Sequence, residues 1–413
     1  MGLPFVVLNM VSAVLFKDLG ISDAQIAFWT SLIMWPWTIK FLWSPFLEIF
    51  RTKKFFVVTT QLLSGILFGL AALSLHLPSF FAVTIAVFAV VAFSGATHDI
   101  AADGVYMSEL TTQDQAKYIG WQGAFYNLAK LVATGGLVWL AGWLYEGFST
   151  SGTASFDAYV RSWTVVLLLL CVTLVALGLY HLRALPSGGS ASEGRSLRDG
   201  LSGLREVIGA FFTKRHIWYY IAFIILYRLG EGFVMKIVPL FLKADTASGG
   251  LGLSNQQIGL YYGTFGAGAF LLGSLLAGYY IAHRGLRRTL FILCCIFNIP
   301  FAVYALLAWL QPQSMWIVGG GIVLEYFGYG FGFVGLTLFM MQQVAPGRHQ
   351  MAHYAFASGI MNLSVMLTGA VSGYLSDALG YGMFFLAVML ATVPAFLVTW
   401  FVPFTYDDKP NDK

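Results

Sequence analysis

Three ionisable residues stand close together in a long apolar stretch of the sequence. His98, Asp99 and Asp103 belong to the segment GATHDIAADG (95–104), and the run FFAVTIAVFAVVAFSG (80–95) that leads into it carries no charge. A carboxylate in such a setting can bind and release a proton, and a nearby amine favours its charged form. The spacing therefore indicates either a proton-binding site beside a water-filled cavity or a permanent ion pair between helices.

Composition indicates that most of the chain lies in a membrane. Of 413 residues, 58% are hydrophobic and 10% are charged, whereas soluble domains carry about 25% charged residues. A helix needs roughly 20 residues to cross a hydrocarbon core of ~30 Å, and barrel strands would instead alternate over about ten residues. The predicted fold class is an all-α polytopic membrane protein with twelve transmembrane helices. These spans, numbered 1 to 12, are residues 2–16, 25–50, 55–77, 80–109, 118–146, 159–182, 216–242, 255–282, 289–310, 314–343, 349–378 and 381–404.

The first of these spans is short. Residues 2–16 give about 22 Å of helix at ~1.5 Å per residue. No basic stretch precedes this run and no small-residue cleavage site follows it, so it does not match a cleavable signal peptide. We expect the natural chain to begin upstream of Met1.

The distribution of Lys and Arg predicts the orientation. If both termini are cytoplasmic, the inner loops and tails carry sixteen of the 23 basic residues and the outer loops carry three, which is a positive-inside pattern. The outer residues are Lys17, Arg161 and Lys243. The inner residues are Arg51, Lys53, Lys54, Lys117, Arg183, Arg195, Arg198, Arg205, Lys214, Arg215, Arg284, Arg287, Arg288, Arg348, Lys409 and Lys413.

Several classes of function are not indicated. The basic residues form no block of the kind that binds nucleic acid, and the three cysteines show neither disulfide nor metal-ligand spacing. GFGFVG (330–335) matches a dinucleotide-binding pattern by letter, but it follows no strand and lies in a span. Its glycines, like those of span 8, instead predict close helix contacts. We expect no enzyme activity, cofactor, metal or nucleic-acid partner.

The chain contains an internal duplication. GISDAQIAFW (20–29) recurs as GLSNQQIGLYY (252–262), and each copy opens with an S-x-x-Q capping box before a span. Each repeat holds six spans, so the two halves keep the same orientation, as in the major facilitator superfamily. We predict an N-terminal half at 1–184, a cytoplasmic linker at 185–213 and a C-terminal half at 214–413.

The linker is predicted to contain an interfacial helix. After the flexible composition LPSGGSASEG (185–194), apolar residues recur at 4-3-4-3 spacing among charges. This is typical of an amphipathic helix lying on the cytoplasmic face of a bilayer, and a solvated linker is the alternative. The apolar positions are Leu197, Leu201, Leu204, Ile208 and Phe211.

Four charged residues lie inside spans of the N-terminal half. A charge at mid-bilayer costs about 2.5–3.5 kcal/mol, so each should face protein or water. Helix rise puts Lys40 and Asp99 at similar depths, about 15 Å from the cytoplasmic ends of spans 2 and 4, and Lys130 about 19 Å into span 5. The predicted proton-coupling residues are Lys40, Asp99, Asp103 and Lys130. His98 is expected to point away from Asp99 and to be a packed, hydrogen-bonded histidine.

The C-terminal half carries four further charges inside spans. Arg228 and Glu231 stack on span 7, and Glu325 enters from span 10 at a depth similar to that of Glu231. We expect a polar cluster there, and we add polar and aromatic residues of spans 5 and 7 as candidates. The predicted substrate-binding residues are Arg228, Glu231, Lys236, Glu325, Asn127, Gln122, Trp121 and Tyr227.

Six segments resemble the AmpG-type muropeptide permease branch of the major facilitator superfamily, which is similar to the acetyl-CoA transporter family. They are GLPFVVLNMVSAVLFKDLGIS, WTIKFLWSPFLE, ATHDIAADG, YRLGEGFVMKIVPLFL, EYFGYGFGF and MAHYAFASGIMNLS, and the similarity runs from residue 2 to about residue 404. The resemblance implies proton-driven import of anhydro-muropeptides, which are sugar-peptide fragments of the cell wall, through a bacterial inner membrane. The expected partners are this solute, protons and the lipid bilayer, and we expect a monomer.

The residues alone favour a secondary transporter with a charged, aromatic-rich cavity. Import of another polar solute, such as an oligosaccharide, a siderophore or an acyl-CoA, therefore stays open, as does a non-transporting membrane sensor. The superfamily usually places Asp in the basic turn after span 2, where this chain has Glu48, and the second copy lacks an acid. The predicted gating turns consist of Glu48, Arg51, Lys53, Lys54, Arg284, Arg287 and Arg288.

Overall fold

A computed structural model shows a chain built from helices. The residues that the structure describes are 2–43, 47, 51–109, 125–151, 154–188, 197–347 and 350–406. Within these ranges all regular structure is helical, and no strand is found. The predicted all-α class is therefore confirmed.

Among the described residues, eight helices are long and apolar enough to cross a membrane by themselves. They are Lys53–Ser74, Phe80–Val105, Phe125–Thr150, Ser155–Ala184, Asn255–Arg284, Leu286–Leu310, Met315–Val344 and Phe356–Trp400. The last one covers spans 11 and 12, which meet at Gly380, where φ is 70°, a conformation that glycine adopts without strain. These helices account for spans 3–6 and 8–12.

Span 2 is interrupted, so its prediction as one continuous helix is wrong. Helix Asp23–Leu32 ends, and a short helix Trp35–Ile39 and a 3-10 turn Lys40–Leu42 follow it. Pro36 explains the interruption, because proline has no N–H to donate to the preceding turn and its ring clashes with that turn.

Span 7 is also broken, at Arg228. Helix Ile217–Tyr227 precedes this residue and helix Leu229–Lys243 follows it. The Arg228 backbone has φ −102° and ψ 8°, away from the helical values near −63° and −42°. The prediction of a continuous span 7 is therefore wrong, and the charged residues of this span lie at and just after the break.

The capping boxes predicted for the two repeats form to different extents. In the second copy, Gln257 N–H donates to Ser254 Oγ (3.3 Å) and Ser254 N–H donates to Gln257 Oε1 (2.9 Å), which completes the box. In the first copy, Gln25 N–H donates to Ser22 Oγ at 3.4 Å. Each repeat therefore starts a helix at the predicted position.

The chain divides into two compact units. Unit 1 consists of Met1–Ile21 and Leu32–Glu206, and unit 2 consists of Ser22–Ser31 and Val207–Lys413. Nothing in the sequence anticipated that residues 22–31 cluster with the second half of the chain. The boundary near Glu206 falls inside helix Leu197–Phe212, which forms where the leucine spacing predicts it.

Hydroxyl pairs join the helices of unit 1. The hydroxyl oxygens of Ser64 and Ser94 are hydrogen-bonded at 2.8 Å, and those of Ser74 and Thr84 are hydrogen-bonded at 2.7 Å. Such buried pairs satisfy polar groups that would be costly in an apolar interior. They hold helix Lys53–Ser74 against the helix that carries Asp99.

Glycines bring the helices of unit 2 into close contact, as the sequence predicts. A methyl group added at Gly330 would overlap the carbonyl oxygen of Phe270, and one added at Gly273 would overlap the carbonyl oxygen of Phe327. Spans 8 and 10 therefore pack backbone against backbone. Gly268, in the same stretch of span 8, has open space beside it, so the prediction does not hold for every glycine of span 8.

Candidate functional site

In unit 1, an indole holds Asp99. Helix Phe80–Glu109 carries the carboxylate, and Trp37 donates its indole N–H to Asp99 Oδ2 across 2.8 Å. The other oxygen, Oδ1, is buried and has no hydrogen-bond partner among the described residues. One oxygen of the group is thus hydrogen-bonded and the other is not.

Glycine explains why the indole reaches this carboxylate. Gly95 lies one turn before Asp99, and a methyl group there would come within 2.7 Å of Trp37 Cζ2. Phe5 packs edge-on against Trp37, with ring centroids 5.2 Å apart, and lies 6.5 Å from the ring of Tyr126. Trp37, the indole that donates to Asp99, therefore belongs to a group of aromatic rings that includes residues of spans 1 and 5.

The other residues predicted for proton coupling do not all meet Asp99. Lys40 is half-buried in the 3-10 turn Lys40–Leu42 and makes no ion pair with Asp99 within the described ranges. Of the two lysines expected as possible partners of this carboxylate, Lys40 or Lys130, Lys40 is therefore not paired with it in this structure, and it lies after the break at Pro36. Asp103 and Lys130 are half-buried.

His98 lies closer to Asp99 than expected. Its Nδ1 is 4.0 Å from Asp99 Oδ1, and both side chains are largely buried, at 12% and 16% exposed. Adjacent residues on a helix usually diverge, which is why His98 was predicted to point away from Asp99. The 4.0 Å distance shows that this prediction is wrong. Among the described residues, no Lys or Arg lies as close to this oxygen as His98 does.

In unit 2, the break in span 7 holds a buried ion pair. Arg228 donates through Nε and Nη2 to the two carboxylate oxygens of Glu231, three residues further on. Arg228 and Glu231 are 4% and 3% exposed, and the Arg228 guanidinium lies 5.3 Å from the Phe333 ring centroid. A two-bond arginine–carboxylate pair is the strongest geometry for such a contact, and here it satisfies both buried charges.

Glu325 accepts a hydrogen bond from a tyrosine of span 9. Tyr304 donates its hydroxyl to Glu325 Oε2 across 2.7 Å, in a site that leaves the carboxyl group 4% exposed. The rings of Tyr262 and Tyr326 pack edge-on nearby, 5.1 Å apart. The sequence did not single out Tyr304, which lies in an apolar span without any charge.

Aromatic residues connect Glu325 with the ion pair. Tyr326 follows Glu325 directly and lies 6.3 Å from Tyr329 between ring centroids, and Tyr329 in turn interacts with Arg228. A polar cluster of the predicted composition is therefore present in unit 2. It reaches from Glu231 to Glu325 through tyrosines instead of through direct contact of the charges.

Tyr227 is a structural residue in this conformation. Its side chain is fully buried, at 0% exposed, and its hydroxyl donates to the carbonyl oxygen of Gly332 across 2.9 Å. It thereby ties span 7 to span 10. Lys236, further along span 7, donates to the carbonyl oxygen of Thr30 at 3.3 Å.

The basic turn after span 2 anchors neighbouring segments. Lys53 donates to the carbonyl oxygen of Gly188 at 2.9 Å, and the N–H of Gly188 donates to Glu109 at 2.8 Å. The Arg51 guanidinium lies 5.6 Å from the Phe55 ring centroid. Lys54 N–H donates to the Ser187 carbonyl oxygen. In the turn after span 8, Arg284, Arg287 and Arg288 are exposed.

Three predicted site residues, Glu48, Trp121 and Gln122, lie outside the described residues. Asn127 is described and half-buried on the same helix as Lys130. In the part of the chain that the structure describes, no three His, Cys, Asp or Glu side chains gather as metal ligands.

Solved transporters share this fold. The crystal structure of a bacterial homologue of the human lysosomal transporter Spinster, inward-facing and unoccupied, matches with a TM-score of 0.72 at 15% identity, over 97% of this chain and 96% of that chain. The D-xylose-proton symporter matches with a TM-score of 0.72 at 12% identity, over 97% and 94%. The chain therefore shares the fold of these two proteins.

The family follows from the sequence match. The model of the major facilitator superfamily matches residues 1–344 and 224–413, which together cover the chain. This chain therefore belongs to the major facilitator superfamily. Among curated relatives, the anhydromuropeptide permease of Escherichia coli (strain K12) is 25% identical over 379 residues, which cover 89% of this chain and 70% of the relative.

Proposed function

We propose that this transporter imports anhydro-muropeptides by alternating access, coupled to protons, for peptidoglycan recycling. It lies in a bacterial inner membrane with both termini in the cytoplasm. The three-part division into residues 1–184, 185–213 and 214–413 is part of the proposal.

The geometry of Asp99 carries the proposal of proton coupling. A neutral indole donates to Oδ2, and Oδ1 has no hydrogen-bond partner among the described residues. Because this carboxylate has no ion pair to Lys or Arg within the described ranges, a proton can bind Oδ1 without separating such a pair. A carboxylate with these properties inside a membrane helix is suited to cyclic protonation.

Support for the substrate comes from charge and from the relative. A sugar-peptide with carboxylates and an amine can exchange hydrogen bonds with the Arg228–Glu231 pair and with Glu325, while the tyrosines between them offer faces for sugar rings. The E. coli relative is named an anhydromuropeptide permease. The same charges and rings suit an oligosaccharide, a siderophore or an acyl-CoA, and one of these is the second candidate.

Uptake of labelled anhydro-muropeptide into proteoliposomes tests the proposal. We expect accumulation when the outside is more acidic than the lumen, and equilibration alone when a protonophore collapses the gradient. If uptake does not depend on the gradient, the proposal of proton coupling is wrong and the proposed substrate stands. If the protein is monodisperse and binds another of the candidate solutes but takes up no muropeptide, the proposed substrate is wrong.

A further inference from the structure

A cavity of about 210 Å³ lies at one end of unit 2, between the loop that joins spans 7 and 8 and the loop that joins spans 9 and 10. Under the proposed orientation this is the outer end. Among the described residues that line the cavity, none is charged, and four have polar side chains. These four are Thr246, Gln257, Gln311 and Gln313. The cavity therefore suits an uncharged ligand that both donates and accepts hydrogen bonds, as hydroxyl and amide groups do.

The wall that residues 244–253 contribute is held firmly in place. The N–H groups of Leu251, Gly252 and Leu253 donate to carbonyl oxygens at the end of span 7 across 2.8–3.1 Å. A methyl group added at Gly250 would lie 2.1 Å from the carbonyl oxygen of Ala244, so the loop packs backbone against backbone. The cavity is thus formed in advance, which spares a ligand the cost of ordering this loop.

Gln311 faces this wall from the turn after span 9. Its Nε2 lies 3.5 Å from the carbonyl oxygen of Gly250, at the outer limit of a hydrogen bond. Its backbone is left-handed, with φ 40° and ψ 56°, a conformation that glycine adopts freely and that costs free energy for other residues. Helices commonly end with a glycine in this conformation. A glutamine at this strained position, beside a cavity, indicates a role for its side chain.

The volume of the cavity limits the ligand to about one ring. An apolar cavity of about 150 Å³ admits benzene, and a sugar ring is also six-membered but carries hydroxyl groups. Glutamine amides match these groups because they offer donors and an acceptor together. A carboxylate or ammonium group of a peptide, in contrast, would find no charged partner among the described lining residues. The sequence identified Gln257 only as a capping residue, and nothing in it indicated this cavity.

We propose that this cavity is a sugar-binding subsite at the outer mouth of the transporter, with Gln311 as a hydrogen-bonding residue. It receives one uncharged sugar ring of the solute before the solute reaches the charged cluster of Arg228, Glu231 and Glu325. The inference rests on the proposed function and deepens it, because it assigns the sugar part of the proposed solute a contact of its own.

Protection of a thiol from alkylation tests the subsite in the purified full-length protein in detergent. Met315→Cys places a thiol in the lining of the cavity, and Ala247→Cys places one at an exposed position outside the lining. The probe is N-acetylglucosamine, an uncharged sugar ring with an amide, and the dipeptide alanyl-alanine is the charged comparison. We expect the sugar, at about ten times its dissociation constant, to slow alkylation at position 315 about tenfold and to leave position 247 unchanged. The dipeptide should change neither rate. The unaltered protein, whose three cysteines lie in spans, gives the background rate.

Two glycine substitutions then separate the Gln311 side chain from its backbone. His216 is the other non-glycine residue with a positive φ, 60°, in the part of the chain that the structure describes. It is exposed at the opposite end of span 7 and does not line the cavity. Gln311→Gly and His216→Gly each relieve a left-handed backbone, so we expect both to keep or raise the unfolding midpoint. In the Met315→Cys protein, Gln311→Gly should weaken the affinity for the sugar about tenfold, and His216→Gly should leave it unchanged.

The subsite is overturned if the sugar does not protect position 315, if it protects position 247 equally, or if the dipeptide protects as well as the sugar does. Protection that survives Gln311→Gly would overturn the role of Gln311. None of these measurements depends on transport. Uptake of muropeptide without protection by the sugar overturns the subsite and leaves the proposed function standing, whereas protection without uptake of muropeptide supports the subsite and overturns the proposed substrate.

Discussion

The Trp37 indole N–H donates to Asp99 Oδ2 across 2.8 Å and joins two residues 62 positions apart. An indole can donate a hydrogen bond but carries no charge. It therefore orients the carboxylate without committing it to an ion pair, which is the property that a proton carrier needs. The pattern of the sequence led us to expect a lysine as the partner of Asp99, and a lysine would have favoured a permanent ion pair between helices.

Replacing Asp99 separates these two roles. We expect Asp99→Asn to abolish uptake driven by a pH gradient and to preserve exchange of labelled for unlabelled substrate, because the amide keeps the shape but cannot take up the proton. Both activities are measured in the same proteoliposomes. Loss of the folded protein from the membrane, in place of this split, would identify Asp99 as a structural residue.

Trp37 should affect coupling more strongly than Trp43. Trp37→Phe removes the donor to a charged group, worth roughly 1.5–3 kcal/mol, whereas Trp43→Phe removes a donor to the neutral Thr97 hydroxyl (3.2 Å), worth about 1 kcal/mol. We expect Trp37→Phe to reduce gradient-stimulated uptake about tenfold and Trp43→Phe to reduce it less. Equal effects would show that Trp37 acts through packing alone.

The Arg228–Glu231 pair calls for a double-variant test. Arg228→Met alone leaves Glu231 buried without its partner, which should lower the free energy of unfolding by about 3–5 kcal/mol. Adding Glu231→Met should recover most of this loss, since no buried charge remains. The thermal unfolding midpoint in detergent is the measurement, followed by transport.

Transport of the double variant decides what the pair is for. If the pair contacts the substrate, the double variant is stable and inactive. A double variant that is both stable and fully active would show that Arg228 and Glu231 serve the fold alone.

Glu325 should influence affinity more than maximal rate. We expect Glu325→Gln to raise the substrate concentration at half-maximal uptake, because its charge is lost next to the tyrosines. Tyr304→Phe removes the 2.7 Å hydrogen bond to the carboxylate and should shift the same parameter by a smaller factor. Unchanged half-saturation in Glu325→Gln would exclude this residue from the site.

The sequence was sufficient to find the membrane charges but not their partners. Charged residues inside apolar spans are conspicuous because lipid makes them costly, and helix rise then gives their depth. Depth does not give the direction of a side chain, which depends on an unbroken helical register. Lys40 shows the consequence, because it follows the interruption at Pro36 and does not pair with Asp99 within the described ranges.

Neutral partners were harder to predict than charged ones. Tyr304 lies in an apolar span without any charge, and only its position in space, within hydrogen-bond distance of Glu325, sets it apart. Lys214 and Arg215 show the same limit of prediction in a loop. Both count equally in the positive-inside pattern, and only the structure distinguishes them. Lys214 donates to the carbonyl oxygens of Val344, Ala345 and Pro346 and burial lowers its pKa, whereas Arg215 is exposed.

Close packing of spans 8 and 10 makes Gly330 sensitive to the smallest enlargement. In Gly330→Ala the new methyl group would overlap the carbonyl oxygen of Phe270, and backbone cannot move aside as a flexible side chain can. We expect a loss of about 1–3 kcal/mol in the free energy of unfolding. In Gly268→Ala the methyl group meets open space, and better helix propensity should stabilise the protein by up to about 1 kcal/mol. Thermal unfolding of both variants in one detergent checks the comparison, and equal midpoints would contradict the close contact between these spans.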